Sequence, residues 1–178
     1  ELAREARQLH RGLEDTHGLV LSLSYEALFV HLLGRSEEAR DLLMRALALG
    51  SRSGLELYRS RTLLYLGMVE ESENDIDRAR MYYEDALDTA RQQHNREIEL
   101  FARVSLVKLQ LVEAKTVELS PEIEAIREDA ADYGHMYATV FGLAVEAWVS
   151  ARLDDTERME ASLSKLRTFV QRVDAPDL

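Results

Sequence analysis

Cysteine is absent from the 178-residue chain, which excludes disulfides, thiolate catalysis and zinc sites built on cysteine. Proline occurs only twice and glycine eight times. Because both residues interrupt helices, their scarcity beside abundant Ala, Leu, Glu and Arg predicts helix along nearly the whole chain.

Basic charge is scarce as well, since 22 Lys and Arg face 33 Asp and Glu and give a formal net charge of -11. Nucleic-acid affinity comes largely from Lys and Arg that neutralise phosphates, so we expect no nucleic-acid binding by this chain. The most apolar stretch, residues 19–33, is interrupted by polar side chains and falls short of the ~18 apolar residues of a spanning helix. We therefore expect no membrane segment and, by default, a cytoplasmic location.

A hydrophobic content of 46% and a charged content of 31% are typical of a packed domain. The length predicts one domain over residues 1–178. The chain starts at Glu1 with neither a methionine nor a signal pattern. We expect it to be a piece of a longer protein.

A period of 40 residues aligns the first half of the chain with itself. The matched positions hold small residues, which let helices approach closely, and the larger Leu43 and Tyr83, which fill the space beside them. The small pairs are Ala27 with Gly67, Ala39 with Ala79 and Ala46 with Ala86. Each copy predicts two antiparallel helices, with the turns at Gly34-Arg35 and Asn74-Asp75.

Two weaker copies follow. Residues 100–113 parallel residues 57–70, and Ser120-Pro121 is a strong helix-start signal. The last copy turns at Asp154-Asp155. The predicted boundaries are the end of a truncated repeat at 1–12, then repeats at 16–50, 53–93, 95–134 and 136–173.

This arrangement resembles the tetratricopeptide repeat family, whose pattern places a small residue late in the first helix and small, aromatic and small residues in the second. The resemblance implies an all-α, right-handed α-solenoid of antiparallel helix pairs, with about four repeats and a partial N-terminal helix. It implies a protein-binding scaffold without enzymatic activity. The long repeat is similar to that in regulatory arms of bacterial signalling proteins of the MalT/LuxR type. The alternative function is thus a ligand- or peptide-sensing regulatory domain of a bacterial transcription regulator or signalling ATPase.

Known catalytic and metal-binding patterns are not found in the sequence. The acidic residues 70–77 lack the glycine that a calcium loop needs, because Arg78 stands there, and we expect a solvated turn in which Asp75 or Asp77 caps the next helix. No two histidines have the helical i, i+4 spacing of a metal site. Residues 50–54 have Arg52 where a nucleophile elbow needs serine, so we interpret them as an interhelical loop. We predict no catalytic residue, metal or cofactor.

The family resemblance places the first helix of each pair along a concave wall, which predicts a binding groove. Counting from the packed small residues gives a mostly apolar stripe, which either receives an apolar or amphipathic segment or is buried against the next repeat. Trp148 is expected to be partly exposed, as an anchor for a partner, and the alternative is burial against Phe141 or the preceding repeat. Self-association is also possible. The predicted groove residues are Leu21, Ser24, Leu28, His31, Arg61, Leu64, Met68, Glu71, Phe141, Ala144 and Trp148, with Val104, Val107 and Leu111 in the third repeat.

Overall fold

The computed structural model describes residues 2–12, 15–112, 120–133 and 136–174, and over these residues it is all-helical without a strand. This confirms the predicted all-α fold of consecutive helix pairs. Within the described ranges the α-helices are α1 (Leu2–Gly12), α2 (Thr16–Leu32), α3 (Ser36–Arg52), α4 (Arg59–Ser72), α5 (Ile76–Gln92), α6 (Arg96–Val112), α7 (Ser120–Tyr133), α8 (Met136–Arg152) and α9 (Thr156–Asp174), and a short 3₁₀ turn, Glu56–Tyr58, precedes α4.

The chain divides into two compact units, Glu1–Ala102 and Arg103–Leu178. In the first unit, α2 pairs with α3 and α4 pairs with α5, while α1 packs on α2 and α4 packs on both helices of the preceding hairpin. In the second unit, α8 packs on both α7 and α9. Helix α6 begins in the first unit and ends in the second. The single-domain organisation and the repeat boundaries stay predictions.

The turns repeat with the same 40-residue period as the side chains. At each turn, one residue adopts the left-handed conformation that ends a helix, and the next N–H bonds back to the carbonyl five residues earlier, as in Asp75 to Glu70 at 2.9 Å. Glycine, asparagine and aspartate tolerate this conformation better than most residues. The left-handed residues are Gly34, Asn74 and Asp154 (φ 77°, 61° and 58°) in one series and Gly54 and His94 (φ 66° and 53°) in the other.

Two expectations about turns have different outcomes. The predicted cap is confirmed at Asp75, whose side chain accepts the Arg78 N–H at 3.1 Å. The loop expected over residues 50–54 is wrong for its first part, because α3 continues through Arg52. Gly50 is a buried position in its last turn, where an added Cβ would lie 3.3 Å from the Leu55 carbonyl oxygen. That glycine serves a close backbone approach within the fold.

Buried carboxylates tie neighbouring helices together. Glu70, expected in a solvated turn, is 2% exposed and accepts two hydrogen bonds from Arg40 of α3, at 2.7 and 3.0 Å. This hydrogen bonding raises the pKa of the Arg40 guanidinium. The correction has a physical reason: a carboxylate enters a helical core only with a charged partner, and this partner lies 30 residues away in the sequence.

The core of each hairpin in the first unit depends on a small residue of the first helix facing a larger residue of the second. The first hairpin has Ala27 and Leu43, both fully buried. The second has Gly67 and Tyr83, and a Cβ at Gly67 would lie 2.4 Å from the Tyr83 ring. The second hairpin therefore accommodates the larger tyrosine because its glycine lacks the methyl group that alanine has at the matching position of the first hairpin. The predicted small-residue contacts are confirmed, since Ala39, Ala46, Ala79 and Ala86 are also fully buried.

We expect Gly67→Ala to lower the free energy of unfolding by about 1 to 3 kcal/mol, because the new methyl group overlaps the Tyr83 ring. Alanine in a helix is otherwise favourable over glycine, so a loss must come from this contact. Adding Tyr83→Leu should recover part of the loss, because it reproduces the Ala27–Leu43 pair. Chemical denaturation of the two single variants and the double variant measures the coupling energy between positions 67 and 83. Strictly additive losses in the free energy of unfolding would contradict a contact between these two residues.

Candidate peptide-binding face

One partly exposed face of the first unit is formed by α2 and α4. Its six side chains are half-buried, and they follow the i, i+4, i+7 spacing of a single helix face. The three on α2 match the three on α4 at an offset of 40 residues. This surface, called the first-helix face, consists of Leu21, Tyr25 and Leu28 on α2 and Arg61, Tyr65 and Met68 on α4.

The predicted stripe only partly coincides with this face. Leu21, Leu28, Arg61 and Met68 lie on it. Ser24 and Leu64 do not, because they are 1% and 3% exposed. The Ser24 hydroxyl lies 3.0 Å from the hydroxyl of Thr62, so it belongs to the contact between α2 and α4. Residues three positions apart and residues four positions apart both lie on the same face of a helix, so spacing alone does not determine which of two adjacent residues is buried. Contact with the neighbouring helix determines it.

The two remaining stripe positions of the first unit lie near helix ends. His31 is half-buried, and its Nδ1 atom has no hydrogen-bond partner within the described residues. Glu71 accepts a hydrogen bond of 2.7 Å from the hydroxyl of the buried Tyr83. This bond joins the end of α4 to α5, so Glu71 stabilises the hairpin.

Arg61 connects three successive first helices. Its guanidinium lies 5.7 Å from the centre of the Tyr25 ring and donates a hydrogen bond to the Tyr25 hydroxyl on α2. It also donates to the Glu97 carboxylate on α6 at 3.1 Å. Both partners are 36 residues from Arg61 in the sequence. These contacts hold the guanidinium in a fixed position, which lowers the entropy lost when a ligand binds.

Tyr25 and Tyr65 are the residues of this face that sequence reasoning missed. Their signal was present in the sequence, since they occupy matching positions 40 residues apart. Tyr65 packs against the core of the first two hairpins. Burial raises the pKa of its phenol further above neutral pH, and the neutral hydroxyl can donate a hydrogen bond.

The predicted stripe of the second unit has a mixed outcome. Val104 and Val107 are 3% exposed and join a core cluster with residues of α7 and α8, and Leu111 packs against that cluster. Ala144 is exposed. Trp148 is 42% exposed, as expected, and the guanidinium of Arg152 lies 5.0 Å from its ring centre. The side chain of Phe141 lies outside the described residues.

Other kinds of site are not found in the part of the chain that the structure describes. Its His, Asp and Glu residues form no group of three or more that could hold a metal ion. None of its helices is long and apolar enough to cross a membrane. The tyrosines, arginine and aliphatic side chains of the first-helix face favour contact with another polypeptide.

Comparison with known families gives a match in this same region. Residues 19–92, the segment that carries the first-helix face, match the model of the tetratricopeptide repeat. This segment is therefore similar to tetratricopeptide repeats, which generally act as protein–protein interaction modules. A search of curated proteins found no match.

Trp148 is the only tryptophan, so its fluorescence reports one position. We expect emission that acrylamide quenches readily, because 42% of the residue is exposed to solvent. Arg152→Ala should increase the quenching by uncovering the ring face. Blue-shifted emission that resists acrylamide would show that Trp148 is buried in solution.

Proposed function

We propose that the first-helix face binds a peptide segment of a partner protein. The observation that carries this proposal is the pair Tyr25 and Tyr65, which occupy one register of two repeats and are half-buried on the same face. Tyrosine offers a large, rigid apolar area and a hydroxyl, a combination that occurs often in binding surfaces. The mechanism is recognition by a preorganised shape, without a chemical step.

The chemistry of the face indicates the kind of peptide. Leu21, Leu28 and Met68 provide an apolar surface beside the tyrosines, and methionine adapts to irregular partners. Arg61 supplies a guanidinium that Tyr25 and Glu97 hold in place. We infer an amphipathic segment whose apolar side chains contact this surface and whose polar groups bond to the tyrosine hydroxyls.

The further parts of the proposal rest on the sequence. We propose that the chain works as a scaffold and not as an enzyme, in a cytoplasmic and bacterial setting. The length of the repeat supports a regulatory arm of the MalT/LuxR type within a larger signalling protein. Phe141, Ala144 and Trp148 are proposed as a second contact area, and self-association is proposed as an additional property.

Selection from a random phage-displayed peptide library on the whole chain tests the site. We expect the selected peptides to be rich in apolar residues and to lose affinity by about tenfold or more for Tyr65→Ala, the change expected of an interface anchor. Fluorescence anisotropy with labelled copies of the selected peptides gives the dissociation constants. Circular dichroism checks that each variant keeps its helix content.

Tyr82→Ala is the matched control, because Tyr82 is also half-buried and packs against the same core cluster from α5. We expect this variant to bind the selected peptides as the unchanged protein does. Equal losses for Tyr65→Ala and Tyr82→Ala would mean that general destabilisation weakens binding. Unchanged binding by Tyr65→Ala would remove the first-helix face from the site.

A further inference from the structure

A second cleft of the first unit is lined by α1, α2 and α3 and has a volume of about 260 Å³. Three leucines and an alanine form its apolar part, and four arginines line the remainder. No carboxylate is among its lining residues. The lining residues are Leu19, Leu23, Ala48 and Leu49 with Arg7, Arg11, Arg45 and Arg52.

Most of this positive charge has no ion-pair partner among the described residues. Arg7 is paired with the buried carboxylate of Glu26 at 2.6 Å. Arg11, Arg45 and Arg52 are exposed, and none of them forms an ion pair with a carboxylate of the described residues. The Arg52 Nε donates to the Ala48 carbonyl at 3.2 Å, which holds this guanidinium beside the cleft. Several positive charges beside one cleft give it a positive potential, which attracts an anionic ligand.

The second hairpin shows whether these arginines are needed for folding, because it repeats the first hairpin with other residues at the matching positions. At the matching positions 40 residues further along the chain, Asp85 replaces Arg45 and Gln92 replaces Arg52. Both are exposed positions of α5, which forms the same kind of hairpin. The hairpin therefore folds without arginine in this register. The clustering in the first hairpin is not a requirement of packing.

The cleft is distinct from the first-helix face. Leu19 and Leu23 lie one turn apart on α2, whereas Tyr25 is two residues beyond Leu23 and projects from the other side of that helix. The remaining lining residues come from α1 and α3, which contribute nothing to the first-helix face. A ligand in one site thus leaves the other accessible.

We propose that this arginine-lined cleft binds an acidic peptide segment of a partner protein. An apolar side chain of the segment contacts the partly buried Leu19 and Leu49. Flanking Asp or Glu carboxylates pair with Arg11, Arg45 and Arg52, whose planar guanidinium groups match carboxylates in two-point hydrogen bonds. A free phosphate would leave the leucine surface uncovered. A nucleic acid would meet the acidic remainder of a chain with a net charge of -11.

The probe is a labelled synthetic peptide with one leucine between two glutamates on each side, bound to the whole chain at low salt and followed by fluorescence anisotropy. We expect binding that weakens as sodium chloride is added, because salt screens the charges. Exchanging the leucine for alanine, or the glutamates for glutamines, should each weaken binding severalfold. Inorganic phosphate should compete only weakly.

The variant Arg45→Gln with Arg52→Gln should weaken peptide binding by about tenfold or more, since it removes charge-assisted hydrogen bonds. The control for overall charge is Arg78→Gln with Arg91→Gln, which removes the same number of charges from exposed positions of α5 that are paired with Asp75 and Glu99. We expect this control to bind as the unchanged protein does. Tyr65→Ala should also bind this peptide normally, so failure of the first-helix face and failure of this cleft can be told apart.

Four results would overturn the proposal. These are no binding of the leucine peptide at low salt, equal losses in the two double-glutamine variants, equal affinity for the alanine peptide, or full displacement of the peptide by phosphate. The second would indicate general charge attraction and the last a small-anion site only. The arginine variants change exposed side chains, whereas Tyr65 is half-buried, and circular dichroism verifies the folding of every variant.

Discussion

Close contact between the first and second helix of each hairpin is the constraint on which the first unit depends. The contact needs a small residue at Ala27 or Gly67, and the residue opposite adjusts in size, as Leu43 or Tyr83. Turns of fixed geometry, repeated every 40 residues, bring these positions together. Because the two hairpins of the first unit pack on each other through α2, α3 and α4, stacking contributes to the stability of both.

This constraint also determines which side chains are available for binding. Residues that pack between helices are restricted to small or apolar types, or to paired charges such as Glu70 with Arg40. The half-buried positions of α2 and α4 pack on the core with one side and leave the other accessible, and they carry tyrosines in a matching register. Arg45 and Arg52 likewise stand where the next hairpin has Asp85 and Gln92. We assign to partner binding those residues that keep an accessible surface in addition to their contacts within the fold.

Much of the fold could be predicted from local signals. Small residues, left-handed turn residues and helix starts recur in the sequence itself, which is why the helix pairs and the buried alanines were predicted correctly. Which residues form the first-helix face could not be predicted from the sequence, because Ser24 and Tyr25 are both compatible with helical spacing. The contact of Ser24 with Thr62 on α4 determines that Ser24 is buried and Tyr25 is partly exposed. The burial of Glu70 was missed because its partner Arg40 belongs to another helix.

The central claim is that α2 and α4 pack side by side, with the Ser24 hydroxyl 3.0 Å from the hydroxyl of Thr62, 38 residues later in the sequence. The absence of natural cysteine allows a direct measurement. In a chain carrying Ser24→Cys and Thr62→Cys, mild oxidation should form a disulfide, measured as loss of free thiols, while Ser24→Cys with Ser72→Cys should not, since Ser72 lies ~15 Å further along α4. Failure of the first pair to cross-link, or equal cross-linking of both, would contradict the stacking on which the proposed binding face depends.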